Sequence, residues 1–156
     1  MRSCIEALAV VGILTGCQQT AGSFESPMPF DTQTHIAAWI DLWSTYDLSQ
    51  VDQLFLTDST VTYFSSEREG LISGFAAVRE HHASFGFSEG GETPDQELWV
   101  ENLHTSIYGP TAVVTGIWLF GNPQAAPDDI QRGPMTVVYV WDHDDYRIAH
   151  MHFASY

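Results

Sequence analysis

The sequence predicts an α+β domain with N-terminal helices packed on one face of a curved antiparallel sheet. Three observations carry that reading. Residues 35–48 place Ile36, Trp39, Ile40 and Trp43 on one stripe at three-and-four spacing, which marks a helix with a buried side. The second half of the chain alternates apolar and polar residues in runs rich in valine, threonine and aromatics, as half-buried strands do. These runs follow one another without intervening helical patterns, so helices come first and neighbouring strands pair afterwards.

Taken in order, Asp31 or Thr32 is placed to cap the first helix. A short second helix opens at Ser49, with Asp52 three residues on, and turns Val51, Leu54 and Phe55 inward. Residues 60–64 alternate as a strand, the polar stretch 65–70 is a turn, and Leu71-Ile72 pairs back before Gly74. The helix at 75–85 sets Phe75, Val78, His82 and Phe85 on one face. A glycine-rich acidic loop at 86–97 leads to a strand at 98–107, a turn at Tyr108-Gly109-Pro110 and a strand at 112–120. After a loop at 121–133 the chain ends in a hairpin, with strands at 136–141 and 146–153 around Asp142-His143-Asp144-Asp145. Period two places Val137, Tyr139 and Trp141 on one face. In the last strand it groups Tyr146, Ile148, His150 and His152 against Arg147, Ala149, Met151 and Phe153. No internal repeat or coiled coil interrupts this order, so one domain is expected over residues 31–156.

Arg2, the apolar run 7–14 and Leu14-Thr15-Gly16-Cys17 have the three parts of a secretory signal. The run is too short to span a bilayer as a permanent helix. The last four residues resemble a bacterial lipobox, which implies a signal peptide over 1–16, cleavage before Cys17 and a lipid on that cysteine. Polar residues 17–30 then read as a tether. By resemblance to lipoprotein sorting signals, Gln18 after the cysteine implies the periplasmic face of the outer membrane if the cell is Gram-negative, and the cell envelope in any case. With Cys4 removed and Cys17 lipidated, the mature domain has no thiol for a disulfide, a metal or a nucleophile.

The formal net charge is −15, and the five basic residues are all arginine. Such a surface repels phosphate backbones and anionic lipid, so nucleic acid is not an expected partner and the membrane is met through the lipid anchor alone. Gly-x-Ser-x-Gly, P-loop, HExxH and dinucleotide patterns are absent, which disfavours serine-hydrolase, nucleotide and nicotinamide chemistry. His150-x-His152 has strand spacing for two metal ligands, but zinc needs a third protein ligand; no metal and no cofactor are expected.

The element order, together with Gly70-x-x-x-Gly74-Phe75-x-x-Val78, Glu101-Asn102-Leu103-His104 and Arg147-Ile148-Ala149-His150-Met151-His152, resembles the nuclear transport factor 2-like superfamily. Within it the chain is most similar to the SnoaL-like group and to the association domain of calcium/calmodulin-dependent kinases. The resemblance implies a cone-shaped curved sheet with the helices on its concave face, a pocket between them, and a homodimer or higher homo-oligomer. It also implies that Tyr139 and Phe153 stand where the kinase domains carry pocket arginines, and that His104 matches a pocket histidine. Without those arginines an acidic ligand loses its anchor.

Histidine is the side chain that titrates near neutral pH, so acid–base chemistry is first sought among His82, His104, His150 and His152. His104 with Tyr139 is the expected catalytic pair, a polar residue satisfied within its strand being the alternative for His104. Tyr63, His82, Trp118, Trp141 and Phe153 are the expected ligand-binding residues, with His82 also readable as a hydrogen-bonded core residue and Trp118 and Trp141 as packing. Two functions remain open. One is a lipid-anchored envelope protein that binds a small neutral or apolar organic molecule in an aromatic pocket, with cofactor-free isomerase, dehydratase or cyclase chemistry available to it. The other is a non-catalytic oligomeric interaction module.

Overall fold

A computed structural model of the chain describes residues 28–156. The expected signal peptide, Cys17 and most of the expected tether lie outside the described residues.

Helix α1 spans Thr32–Thr45 and is capped by Asp31, whose Oδ1 accepts from the backbone N–H of Gln33 at 3.0 Å and of Thr34 at 3.5 Å. Tyr46 ends it in the left-handed region at φ 49°, its N–H donating to the Leu42 carbonyl. The stripe continued the pattern to residue 48, but this left-handed stop breaks it three residues earlier. Helix α2, Leu48–Leu54, is capped by Asp47 rather than opened at Ser49, and it buries Val51. Helix α3 is Phe75–Ser84 and buries Val78, His81 and His82.

The strands are β1 Thr62–Ser65, β2 Arg68–Ser73, β3 Glu97–Tyr108, β4 Thr111–Gly121, β5 Gln131–Asp142 and β6 Asp145–Phe153. They form one open sheet in the order β2-β1-β6-β5-β4-β3. Every neighbouring pair is antiparallel except β1 with β6, which lets the early hairpin join the sheet beside the last strand. The three helices pack on the inner face, and Trp39, Leu42, Val51, Phe55, Val114, Val137, Ile148 and Met151 make the dry centre between the layers.

Two bulges decide which side chains face that centre. In β3, Glu101 pairs with Ile117 while His104 pairs with Thr115, so β3 carries one extra residue; Asn102 takes φ 55° there. In β6, Ile148 pairs with Tyr139 and His150 with Val138, so Ala149 is the extra residue. A one-residue insertion moves every following side chain to the opposite face. Tyr146 and Ile148 are therefore buried together with Met151 and Phe153, while His150 and His152 go to the outer face. The simple alternation read from the sequence grouped these residues the other way.

Gly133 in β5 fixes how the chain end lies. An ideal Cβ there would sit 1.8 Å from the Ala154 carbonyl oxygen, so only a residue without one lets the end of the chain run this close. The same carbonyl accepts the indole N–H of Trp118 at 2.9 Å.

Candidate functional site: an aromatic cavity at the open end of the domain

A cavity of about 220 Å³ lies between the C-terminal end of α1, the end of α3 and the inner face of the sheet. Seven of its lining side chains are aromatic. Trp43 and Tyr46 come from α1 and its cap, Phe85 follows α3, Tyr63 rises from β1, Trp118 and Phe120 from β4, and Phe153 from β6. Strand alternation puts Trp118 and Phe120 on the same face, and the β6 bulge brings Phe153 beside them. The rings support one another: Trp43 and Phe120 have centroids 5.7 Å apart at 70°, Trp118 and Phe153 5.8 Å at 78°, and Tyr63 and Phe153 5.9 Å at 36°. Polar lining comes from Ser65, Ser66 and Glu67 of the β1–β2 turn and from Gln131. Glu67 is the one carboxylate there, and no arginine or histidine lines the space.

Two imidazoles stand directly behind the Tyr63 ring. His82 is fully buried, with centroid distances of 5.6 Å to Tyr63, 5.4 Å to Phe55 and 5.5 Å to Phe87. Its Nδ1 donates to the Val78 carbonyl at 2.8 Å, which leaves the Nε2 lone pair without a partner. Burial pushes its pKa down to about 4, and the imidazole is neutral at pH 7. His81 packs on Tyr63 at 5.3 Å and on Phe85 at 4.9 Å; burial, then the charge of Arg68, lowers its pKa. Burial alone raises that of the Tyr63 hydroxyl. Among the described residues the buried polar side-chain atoms without a hydrogen-bond partner are Nε1 of Trp39 and Trp43 and Nε2 of His81 and His82. Of these Trp43 lines the cavity itself, while Trp39 packs on Phe153 and both histidines on Tyr63, two of the lining residues.

Of the residues singled out in the sequence, Tyr63, Trp118 and Phe153 line this cavity and His82 backs it. Trp141 does not line it; the indole is half-exposed and packs edge-on against Tyr146 at 5.2 Å. Nor does the structure bring His104 and Tyr139 together. The Tyr139 hydroxyl lies 3.5 Å from the His35 carbonyl, within a stack of Phe30, His35 and Tyr146. His35 precedes Trp43 by about 12 Å of helix, so Tyr139 sits at the opposite end of the domain from the cavity. His104 is exposed on the outer face of β3, its Nε2 3.5 Å from the Ser106 hydroxyl. Thr105 takes the inner position instead and bonds Thr32 at 2.8 Å. The β3 bulge is the physical reason: counted without it, residue 104 falls on the inner face.

Reading the sequence missed Trp43, Tyr46, Phe85, Phe120 and Glu67 as lining. Trp43 was legible as part of a helix stripe, and Phe85 as the end of another, but nothing local said that the two helix ends stop short of covering one another. His150 and His152 do not line this cavity; Thr62 Oγ1 meets His150 Nδ1 at 2.8 Å on the outer face, beside exposed Phe64. Among the described residues no group of three or more His, Cys, Asp or Glu is arranged to hold a metal ion.

No protein-family model matches this chain, and no curated protein sequence does. Solved structures do match. A nuclear transport factor 2-like superfamily protein from Salmonella enterica serovar Typhimurium aligns at TM-score 0.63 and 18% identity, over 78% of this chain and 86% of that one. The fold is the nuclear transport factor 2-like fold. The calcium/calmodulin-dependent kinase II hub of S. rosetta shares it at TM-score 0.62 and 18% identity, over 83% of this chain and all of that one (100%). A candidate dehydratase of the nuclear transport factor 2-like family from Streptomyces avermitilis aligns at TM-score 0.64 and 18% identity, over 80% and 92%. Such likeness concerns the backbone, and a shared fold does not by itself fix a function.

Proposed function

We propose that this protein binds a small, largely apolar organic molecule without an anionic group, in the cavity between α1, α3 and the sheet. The observation that carries the reading is the lining itself: seven aromatic side chains around about 220 Å³, with no arginine or histidine to hold a carboxylate. A carboxylate entering here would lose its hydration and meet Glu67 instead of a cation. Titration calorimetry with indole and with benzoate, which match closely in size, tests this. Indole is expected to bind at least about tenfold more tightly, and Trp43→Leu to weaken it by about 1 kcal/mol. A preference for benzoate would sink the reading. Acid–base turnover in this cavity would run through Tyr63 and the imidazoles behind it, since His104 and Tyr139 lie elsewhere.

A second reading, the oligomeric module, is favoured by the outer face of the sheet. There Phe64 is exposed, and Val113, Ile117, Val138 and Val140 are half-exposed on β4 and β5. On this proposal two copies pair through that face, and Phe64→Glu should shift the sedimentation coefficient to that of a monomer; an unchanged coefficient rejects this face. The two readings are compatible, because the cavity opens on the other side of the sheet.

For the N-terminus the proposal is a lipid anchor on Cys17 that holds the domain at the cell envelope through the tether. Cys17→Ser is expected to move the protein from the membrane fraction to the soluble fraction and to abolish palmitate labelling. Labelling equal to the parent would remove the anchor from the account.

A further inference from the structure

The charge of the ligand can be read more closely, on the footing that the cavity is a ligand site. We propose that it takes an organic cation, with a quaternary ammonium group seated against Trp43, Tyr63 and Trp118 and with Glu67 as its counter-charge. Electron-rich rings attract a cation through their faces, tryptophan most strongly, and the attraction grows when the site excludes water. Tyr63 and Trp118 are both buried, and both line the space with Trp43. The N–H edge of Trp118, which would repel a cation, is committed to the Ala154 carbonyl at 2.9 Å.

The charges near the cavity agree. Glu67 is the one carboxylate among the lining residues, and the whole chain carries a formal −15. Burial lowers the pKa of both His81 and His82, so they add little positive charge behind Tyr63, and Nε2 of His82, a lone pair because its Nδ1 donates to Val78, turns a negative end toward its surroundings. Arg68, next to Glu67 and exposed, is the opposing charge; it is felt at His81 and would weaken a cation in the cavity. A hydroxyl elsewhere on the ligand would accept from the unpartnered Trp43 Nε1. A neutral ligand of the same shape gains the apolar contacts but neither the ring attraction nor the carboxylate.

Choline, 3,3-dimethylbutan-1-ol and 3,3-dimethylbutanoate share a shape and differ in charge, and so separate these contributions. Calorimetry on the mature chain should rank them cation, then alcohol, then carboxylate, with choline at least about tenfold tighter than the alcohol. Glu67→Gln should weaken choline and leave the alcohol unchanged, whereas Arg68→Gln should strengthen choline. Salt should screen the share of exposed Glu67, but a choline preference should survive a rise from about 0.15 M to about 1 M salt, because the rings of Tyr63 and Trp118 are buried. A preference that vanishes at the higher salt reflects the acidic surface alone and overturns the proposal, as does equal binding of choline and the alcohol. Equal binding would leave the cavity standing as a site for neutral molecules; if neither these three nor indole binds, the cavity reading fails as well.

Discussion

Gly133→Ala is expected to destabilise the domain by about 3 kcal/mol and to disorder the cavity wall with it. The added methyl would sit 1.8 Å from the Ala154 oxygen and 2.7 Å from its carbonyl carbon, both backbone atoms that no rotamer change can move aside. Strand β5 or the chain end must therefore shift. Either shift pulls the Ala154 carbonyl off the Trp118 N–H, and Trp118 is packed against Phe153. The loss thus spreads from one backbone contact to two aromatic wall residues. Gly116→Ala serves as the control, since its Cβ would first meet the tip of the Leu103 side chain at 3.0 Å, beside the Glu101 carbonyl oxygen at 3.1 Å. Urea unfolding should place the Gly133 variant well below the Gly116 variant; equal midpoints would show that the end of the chain gives way without cost.

Acid should destabilise the protein through His82 before the carboxylates respond. The imidazole has its pKa pushed from 6.5 down to about 4 by full burial. Below about pH 6.5 the unfolded chain takes up a proton that the folded chain refuses. Stability therefore falls between about pH 6.5 and about pH 4 and levels off beneath, losing up to about 3 kcal/mol from this one group. His81 acts in the same direction, since burial and then the charge of Arg68 lower its pKa. Asp31, Asp47 and Asp58 have their pKa values lowered by hydrogen bonds, so their stabilisation is lost only as pH falls further. His82→Leu should flatten the fall between about pH 6.5 and about pH 4 in denaturant titrations. A slope equal to the parent's would mean that His82 is protonated in the folded state and finds a partner for Nε2.

The helices and the sheet were legible in the sequence because each rests on a local period. The stripe of Ile36, Trp39 and Trp43, the cap at Asp31 and the alternation around Val137 and Tyr139 all survive in the structure. The site was harder to see, and the reason is specific. Alternation assigns faces only while the register holds, and the extra residues at Asn102 and Ala149 reverse it in β3 and β6. Asn102 lies in a polar stretch, where nothing marks a left-handed residue; Ala149 is small enough to pass as either face. His104 was lost to the outer face by the first bulge. Phe153 reaches the inner face by virtue of the second. Tyr63 and Trp118 keep the faces that alternation gives them, because β4 holds its register against β5 and the register shift between β1 and β2 comes only after Tyr63. Tyr46 escaped because its place on the wall depends on the left-handed turn that ends α1, and no side-chain pattern announces that turn.

On the proposed function ligand enters among Trp43, Trp118 and Phe153, and the indole N–H resonances sense its arrival. Trp43 Nε1 has no partner and lines the cavity, Trp118 Nε1 is held by Ala154, and Trp141 lies on Tyr146 away from it. Titrating ¹⁵N-labelled protein with unlabelled indole, and with choline, should move the Trp43 signal most. Trp118 should move by less, and Trp141 should stay where it is. Saturable shifts confined to Trp141, or binding that leaves the Trp43 signal unmoved, would place the ligand outside this cavity.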